Sequence, residues 1–270
     1  MTDTQEWAIE AHELGKTFPG RGKAAEPIVA VDHVDLTVTP GTVFGLLGPN
    51  GAGKTTAFRM LTTLLPIDSG RASVAGFDLK TQPAEVRAHI GLVGQLGGAD
   101  LDATGYENLV LAGRLHGLTA TQAQARADEL QEVFDLTGLA KRIARTFSGG
   151  QRRRLEIALG MVHHPAVLFL DEPTTGLDPQ NRANLWGQVQ ALRGQGVTVV
   201  LTTHYLDEAD ALADELAVMD HGRVIAEGSP SELKDRYQTE TLDDVFLTLT
   251  GRQLRDGGNA VEPQEEGGVA

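Results

Sequence analysis

The stretch from Gly48 to Thr56, GPNGAGKTT, limits what this chain can fold into more than any other. It matches the phosphate-binding pattern G-x-x-x-x-G-K-[ST] in full and follows a short apolar run, TVFGLLG, that reads as a buried central strand. Such a loop works only between a strand and a helix. Its glycines let successive backbone N–H groups turn inward onto phosphate oxygens, and a helix beginning near Gly53 adds its positive dipole end. Lys54 neutralises phosphate charge, and the Thr55 hydroxyl is a magnesium ligand. The whole cradle comprises Gly48, Pro49, Asn50, Gly51, Ala52, Gly53, Lys54, Thr55 and Thr56. An ordinary glycine-rich turn is the competing reading, and the agreement of pattern with context counts against it.

A strand before such a loop needs a sheet to belong to. Two further apolar runs, AVLFLDEP and VTVVLTTH, are separated by DPQNRANLWGQVQALRGQG, whose Leu185, Val189 and Leu192 share a helical face. Strand, helix, strand predicts a parallel sheet. Alternation at Val29 and Val31, then at Val34, Leu36 and Val38, predicts half-buried strands ahead of the Pro40-Gly41 turn. The region 104–164 has a different texture, helix after helix without a convincing strand, and predicts a helical subdomain inserted into the α/β core. Beyond His204 come a short helix, a hairpin turning at Asp220-His221-Gly222, a capped helix over 229–237 and a last amphipathic segment, TLDDVFLTLTG. The closing RQLRDGGNAVEPQEEGGVA is polar and has too little apolar surface to fold, so disorder is expected. A second phosphate loop is absent, so the nucleotide domain is not duplicated within the chain.

Composition narrows the function. With 270 residues the chain can bury a proper core, and with no cysteine it cannot use disulfides, zinc-thiolate sites or thiol catalysis. A formal charge of -14 makes nucleic acid an unattractive partner. No apolar run approaches the roughly 18 residues that cross a bilayer, and MTDTQEWAIE lacks the basic and apolar regions of a signal peptide. The expectation is a cytoplasmic protein that, if it works at a membrane, relies on another chain to supply the membrane path.

A magnesium ion on phosphates needs a carboxylate nearby. Asp171 stands at the end of the VLFLD strand, where ligands of open α/β sheets gather, and the adjacent Glu172 is the best candidate in the chain for taking a proton from an attacking water. Asp-Glu-Pro alone would read as a polar strand end, and a full phosphate loop tips that balance. Gln95, after IGLVG, and His204, after VTVVLTT, occupy equivalent strand ends and could point into the same crevice; periodicity does not decide, and either on its own reads sooner as an ordinary loop residue.

A second cradle lies at TFSGGQRRRLEIALG. Ser148 can cap the helix that follows, and Gly149 and Gly150 remove side chains that would keep an anion from its N–H groups. A capped helix with a solvated basic face, Arg152 to Arg154, is the plainer alternative. The order of features decides between them. The chain resembles the nucleotide-binding domains of ABC transporters: GPNGAGKTT is similar to their Walker A motif, Gln95 to the Q-loop glutamine, FSGGQ to the signature, VLFLDEP to Walker B, GLDP to the D-loop and His204 to the switch histidine. The likeness runs over residues 6–237. Phe147 stands where leucine is usual, Gly176 where many members have alanine and Gly94 where proline is frequent.

The resemblance implies an α/β fold: a P-loop NTPase core with a mainly parallel sheet, an antiparallel β subdomain and an inserted helical subdomain. It implies an ATP-binding domain over 1–240 with the helical part at about 97–163, an amphipathic segment at 241–252 and a disordered tail at 253–270. ATP and Mg²⁺ are the implied cofactors, with Thr55, Gln95 and Asp171 on the metal, and Glu172, His204 and Gln95 as catalytic residues. Phe18 matches the aromatic residue that stacks on adenine. Ser148, Gly149, Gly150 and Gln151 serve the ATP of a second copy, because such domains pair head to tail with each ATP between one chain's phosphate loop and the other's signature. Within the family, TFSGGQRRRLEIALGMVHHPAVLFLDEPTTGLDPQNRANLW and the closing DVFLTLTG look most like ATP-binding subunits of exporters of the daunorubicin-resistance type, homodimers at the cytoplasmic face beneath a separate polytopic membrane subunit. In that family the helical region after Gln95 receives the membrane partner. An importer subunit, or a soluble ABC ATPase not coupled to transport, are the alternatives; intact Lys54, Asp171, Glu172 and His204 argue against a binding module without catalysis.

Overall fold

The chain begins with two long antiparallel strands, β1 (Ile9–Phe18) and β2 (Ile28–Val38), in a computed structural model that describes residues 7–20, 26–95 and 97–251. The valine pattern that predicted separate strands over 29–38 belongs to one strand. Its apolar phase jumps from Val31 to Val34, and the chain absorbs the odd step by placing His33 in the left-handed region, φ 49°, within a register shift against β1. Val29, ahead of the shift, is exposed rather than half-buried.

The chain then enters β3 (Val43–Leu47), buried at every position, and α1 (Lys54–Leu61) follows the phosphate loop. Next come β4 (Ser69–Val74), β5 (Phe77–Asp78), α2 (Pro83–His89) and β6 (Ile90–Val93). After the helical region the chain builds β7 (Val167–Asp171) and β8 (Thr198–Thr203), and later the hairpin of β9 (Glu215–Asp220) and β10 (Arg223–Gly228). The larger sheet has the order β10-β9-β3-β8-β7-β6, parallel except for β10, and the smaller is antiparallel, β2-β1-β4-β5. Strands covered on both faces read as continuous apolar runs, which is why β3, β7 and β8 were recognisable as buried. His221 and Gly222 both take positive φ, 45° and 80°, the two-residue turn that a hairpin's twist favours.

Among the described residues between β6 and β7 lie three α-helices, α3 (Gly105–Leu115), α4 (Ala120–Val133) and α5 (Gly149–Gly160). Each opens on a reciprocal cap, Thr104 with Glu107, Thr119 with Gln122 and Ser148 with Gln151, which satisfies N–H groups the helix itself leaves free. Leu109, Leu130, Phe134, Leu155 and Ile157 from this region form one cluster with Leu168, Leu170, Val199 and Leu201 of the sheet. The cluster also takes in Leu185, Val189 and Leu192, the predicted face of α6 (Pro179–Gly194). At the other end α7 (Leu206–Leu212), α8 (Pro230–Tyr237) and α9 (Leu242–Thr250) bury Leu206, Leu233, Val245 and Phe246 together against Leu216 and Val218. The expected tail at 253–270 lies outside the described residues.

Where α3 and α5 end, the His116 and His163 rings stack in parallel with centroids 3.9 Å apart. His163 Nε2 lies 2.9 Å from the Ile90 carbonyl, which can only accept, so Nε2 carries the proton. Burial, and after it the charges of His116, His164 and Arg126, lower the His163 pKa to about 4 from 6.5, against the Ile90 hydrogen bond, which raises it. Between those values an unfolded imidazole takes a proton that the folded one refuses. This contribution to stability is therefore full above pH 6.5 and falls as pH drops toward 4. Urea midpoints measured from pH 7 to pH 4.5 are expected to fall less steeply in His163→Gln than in the parent chain; parallel slopes would refute the assignment.

Candidate active site

The phosphate loop is held from behind by backbone. Gly222 N–H donates to the Ala52 carbonyl at 2.9 Å, and Asp32 N–H donates to Gly222 O at 2.8 Å, so the β9–β10 turn and β2 brace it together. Gly53 takes φ 104°, and a Cβ there would stand 2.5 Å from the Ala30 carbonyl, so no larger residue fits. Helix α1 has no side-chain cap at Gly53, which leaves its first N–H groups to an external anion. Ala52 is buried, Asn50 and Gly51 are exposed, and Thr55 and Thr56 sit half-buried in the first turn of α1.

Lys54 is only 4 % exposed, and its ammonium donates to the carbonyls of Gly48 (2.5 Å) and Pro49 (3.1 Å). Burial pushes its pKa down, while the carboxylates of Glu172 and Asp171, near enough to act on the ammonium, push the other way.

Asp171 closes β7, and its Oδ1 accepts a 2.6 Å hydrogen bond from Thr202 Oγ1 on β8. The next residue, Glu172, is in the left-handed region at φ 44°, a costly conformation outside glycine that the surroundings have to enforce. Thr202 does so by accepting from the Glu172 N–H at both its hydroxyl (3.0 Å) and its carbonyl (3.1 Å). Glu172 Oε2 accepts from Thr175 Oγ1 at 3.3 Å, and Oε1 lies 3.3 Å from His204 Nδ1, an ion-pair distance without hydrogen-bond alignment. Tyr205 lies against the His204 ring, centroids 4.1 Å apart. The oxygens of Thr55, Asp171 and Gln95 are hard donors of the kind magnesium takes alongside phosphate and water. Among the described residues no group of three or more His, Cys, Asp or Glu could hold a metal ion.

Gln95 lies two residues beyond β6, in an exposed turn. A cleft of about 400 Å³ brings Gln95, Gly149, Arg152, Glu172 and Thr175 together. Ser148 caps α5 as expected, accepting from Gln151 N–H at 3.3 Å, but Gln151 has a role that the glycine pattern does not reveal: its Oε1 accepts from Ser148 N–H at 3.0 Å. The two glycines also part company. Gly149 is exposed, whereas Gly150 is buried where a Cβ would stand 2.2 Å from Asn181 Oδ1, so Gly150 is small to let α5 meet α6. Phe18 ends β1 half-buried, paired with Ile28, with Lys16 Nζ 5.7 Å from its ring centroid.

Sequence reasoning missed Thr202, Thr175, Tyr205 and the burial of Arg153, which the alternative reading had placed on a solvated face. Thr202 and Tyr205 flank the VTVVLTTH strand end that was singled out; Arg153 carries no such signal.

Residues 31–175 match the family described as "ABC transporter". The chain is 54% identical over 230 residues to the daunorubicin resistance ATP-binding protein DrrA3 of Streptomyces coeruleorubidus, covering 85% of this chain and 73% of that one. It is 47% identical over 249 residues to the doxorubicin resistance ATP-binding protein DrrA of Mycobacterium tuberculosis, covering 92% and 72%. A solved ATP-binding subunit of an ABC transporter superposes with a TM-score of 0.76 at 25% identity, over 90% of this chain and 99% of that one. A dimeric ATP-binding cassette in a post-hydrolysis state, bound to ADP and Pi, shares the fold with a TM-score of 0.73 at 24% identity, over 82% and 98%.

Because Asn181 is pinned by Asp178, to which its Nδ2 donates at 2.6 Å, it cannot yield freely to a methyl group. Gly150→Ala is expected to lose about 1–3 kcal/mol of stability by overpacking, and Gly149→Ala less than about 0.5 kcal/mol. Urea denaturation of both variants checks this, and equal effects would contradict the packing argument.

Proposed function

The chain belongs to the ABC transporter family as an ATP-binding and ATP-hydrolysing subunit, and from that premise we propose that it works as a homodimer powering export through a separate membrane subunit. What supports the dimer is that one chain carries two helix starts suited to an anion, the uncapped start of α1 after the loop at 48–56 and the exposed start of α5 at Ser148–Gly149. One nucleotide needs one phosphate loop. Two ATP molecules between two copies, each held by one loop and the other copy's signature, use every cradle.

In this reading Phe18 stacks on adenine, and the backbone from Gly48 to Gly53 surrounds the phosphates. Lys54 exchanges the Gly48 and Pro49 carbonyls for phosphate oxygens. Glu172 takes the proton of the attacking water, and His204, beside it, contacts the γ-phosphate. Thr55, Asp171 and Gln95 would hold Mg²⁺, which when bound supplies positive charge to the phosphate oxygens. Loss of the γ-phosphate removes the bridge between copies and lets them separate. We assign the ATP-binding domain to 1–240, with its helical part at about 97–163, and the C-terminal segment to 241–252.

No helix among the described residues is long and apolar enough to cross a membrane, so on this reading another chain lines the export path. The helical region supports a docking place for it. A groove of about 650 Å³ runs between β6, α3 and α5, rimmed by Leu111 and Leu115, which are 51% and 78% exposed, and by Leu92. Exposed leucines beside a groove mark an interaction surface. The protein then sits on the cytoplasmic face of the membrane, and the drug-resistance names of its relatives point to a hydrophobic drug or antibiotic as cargo.

Glu172→Gln is expected to bind ATP, to hydrolyse it at least tenfold more slowly, since a general base contributes roughly 10²–10⁴, and to accumulate as an ATP-bound dimer in size-exclusion chromatography. Unchanged turnover would remove Glu172 from the role given to it. The double variant Leu111→Asp/Leu115→Asp is expected to keep the purified chain's ATPase rate within about twofold while abolishing drug efflux from cells carrying the membrane subunit. Normal efflux would move the docking surface elsewhere.

A further inference from the structure

We infer that Arg153 is a positioning residue for hydrolysis, tying the backbone on both sides of Glu172, and the backbone just before Gln95, to the helix that begins at Ser148. The inference rests on the nucleotide site proposed above. In the sequence Arg153 is the middle of three arginines, yet on α5 it shares a buried face with Gly150, Ile157 and Gly160. It is only 8 % exposed.

Every nitrogen of its guanidinium is used. Nε donates to the Pro173 carbonyl at 2.9 Å and Nη2 to the Asp171 carbonyl at 3.1 Å, while Nη1 donates to the Gly94 carbonyl at 2.9 Å. The counter-charge comes from Glu156, one turn along, whose Oε2 lies 3.1 Å from Nη1. A buried cation without such partners would be costly, and the flat, forked guanidinium can reach three separate carbonyls where an ammonium on a flexible stem cannot.

Asp171 and Pro173 flank Glu172, the residue at φ 44° whose conformation must be enforced from outside. Thr202 holds it from the β8 side and Arg153 from the α5 side. Gly94 precedes Gln95, so the same side chain also fixes the turn that carries the glutamine. Since α5 starts at the exposed Ser148–Gly149 end, any shift of this helix as that end takes up a phosphate is passed through one rigid fork to the general base and to Gln95. A structural glue between helix and sheet would need burial and a counter-ion; it would not need its three carbonyls to lie beside two proposed catalytic residues.

The test uses the full-length chain. Arg153→Lys keeps a positive charge for Glu156 but loses the fork. Titration with a fluorescent ATP analogue is expected to give an affinity within about threefold of the parent chain, because the phosphate loop is untouched, while kcat at saturating Mg·ATP falls at least tenfold. Glu156→Gln leaves the three carbonyl bonds in place, and its kcat is expected to stay within about threefold. A lysine variant that turns over within about twofold of the parent overturns the inference. So does one whose affinity and kcat fall together, and so does a Glu156→Gln loss of tenfold or more, which would assign the effect to the ion pair and stands even if Arg153→Lys does not fold. Glu172→Gln, assayed beside them, separates the levels: near-normal turnover there refutes the site reading itself, whereas a slow Glu172→Gln with a normal Arg153→Lys refutes only the role of Arg153.

Discussion

The parallel register of β3, β7 and β8 is the constraint on which the site depends. Leu47 lies opposite Thr203, and Asp171 opposite Thr202. Of the residues that follow these strand ends, Gly48 and His204 are therefore level, and Glu172 emerges one residue before them, level with Thr203, on the same edge of the sheet. Parallel strands cannot be joined by tight turns, so the connecting helices run back along the faces and leave this edge open. A slip of one residue in β7 would turn Asp171 to the opposite face and break its hydrogen bond to Thr202, a bond between register partners. The chemistry of the edge is thus specified by the apolar residues behind it, which form the buried runs VFGLL, VLFLD and TVVLTT.

On that edge nearly every charge is committed within the protein. Lys54 bonds to carbonyls of its own loop, and Asp171 accepts from Thr202. Glu172 stands between Thr175 and His204 in a strained backbone conformation. The partners of Lys54 are neutral dipoles that a phosphate can replace, so binding an anion exchanges weak partners for a strong one without exposing the ammonium to a fresh desolvation cost. The partners of Asp171 and the Glu172 backbone come from a central strand and do not yield in this way. The site is adaptable at the phosphate loop and rigid at Asp171 and Glu172, a division that suits a reaction whose substrate has to enter but whose water has to be aimed.

How much of this was legible in the sequence depends on whether a feature is local. The phosphate loop, the strand ends at Asp171 and His204 and the cap at Ser148 are each set by a few neighbouring residues, and each reads correctly as a local structure. The hairpin at His221-Gly222 is local too. What did not read are relations across the fold. Arg153 looks like its neighbours Arg152 and Arg154 until the helix phase is fixed by the sheet beneath it. Gly150 looks like Gly149 until α6 is placed against it. The β2 irregularity was present in the three-residue step from Val31 to Val34, but a step alone does not say whether a strand ends or bulges, and pairing with β1 decides it.

The net charge poses a last question, since a chain at -14 has to attract a polyanion to an edge that already carries Asp171 and Glu172. Mean charge acts over distances at which salt screens it, about 8–10 Å at ordinary ionic strength. Binding is decided inside that range, where the field is set by oriented groups. The uncapped start of α1 presents its N–H groups and dipole end, Lys54 adds a nearly buried cation, and the glycines let the backbone approach without side chains between. Among the described residues most other long helices give one N–H group of the first turn to a side-chain cap; α1 gives none. An acidic surface and an anion-binding edge are therefore compatible, because the second is built from groups whose influence ends before the first begins to matter.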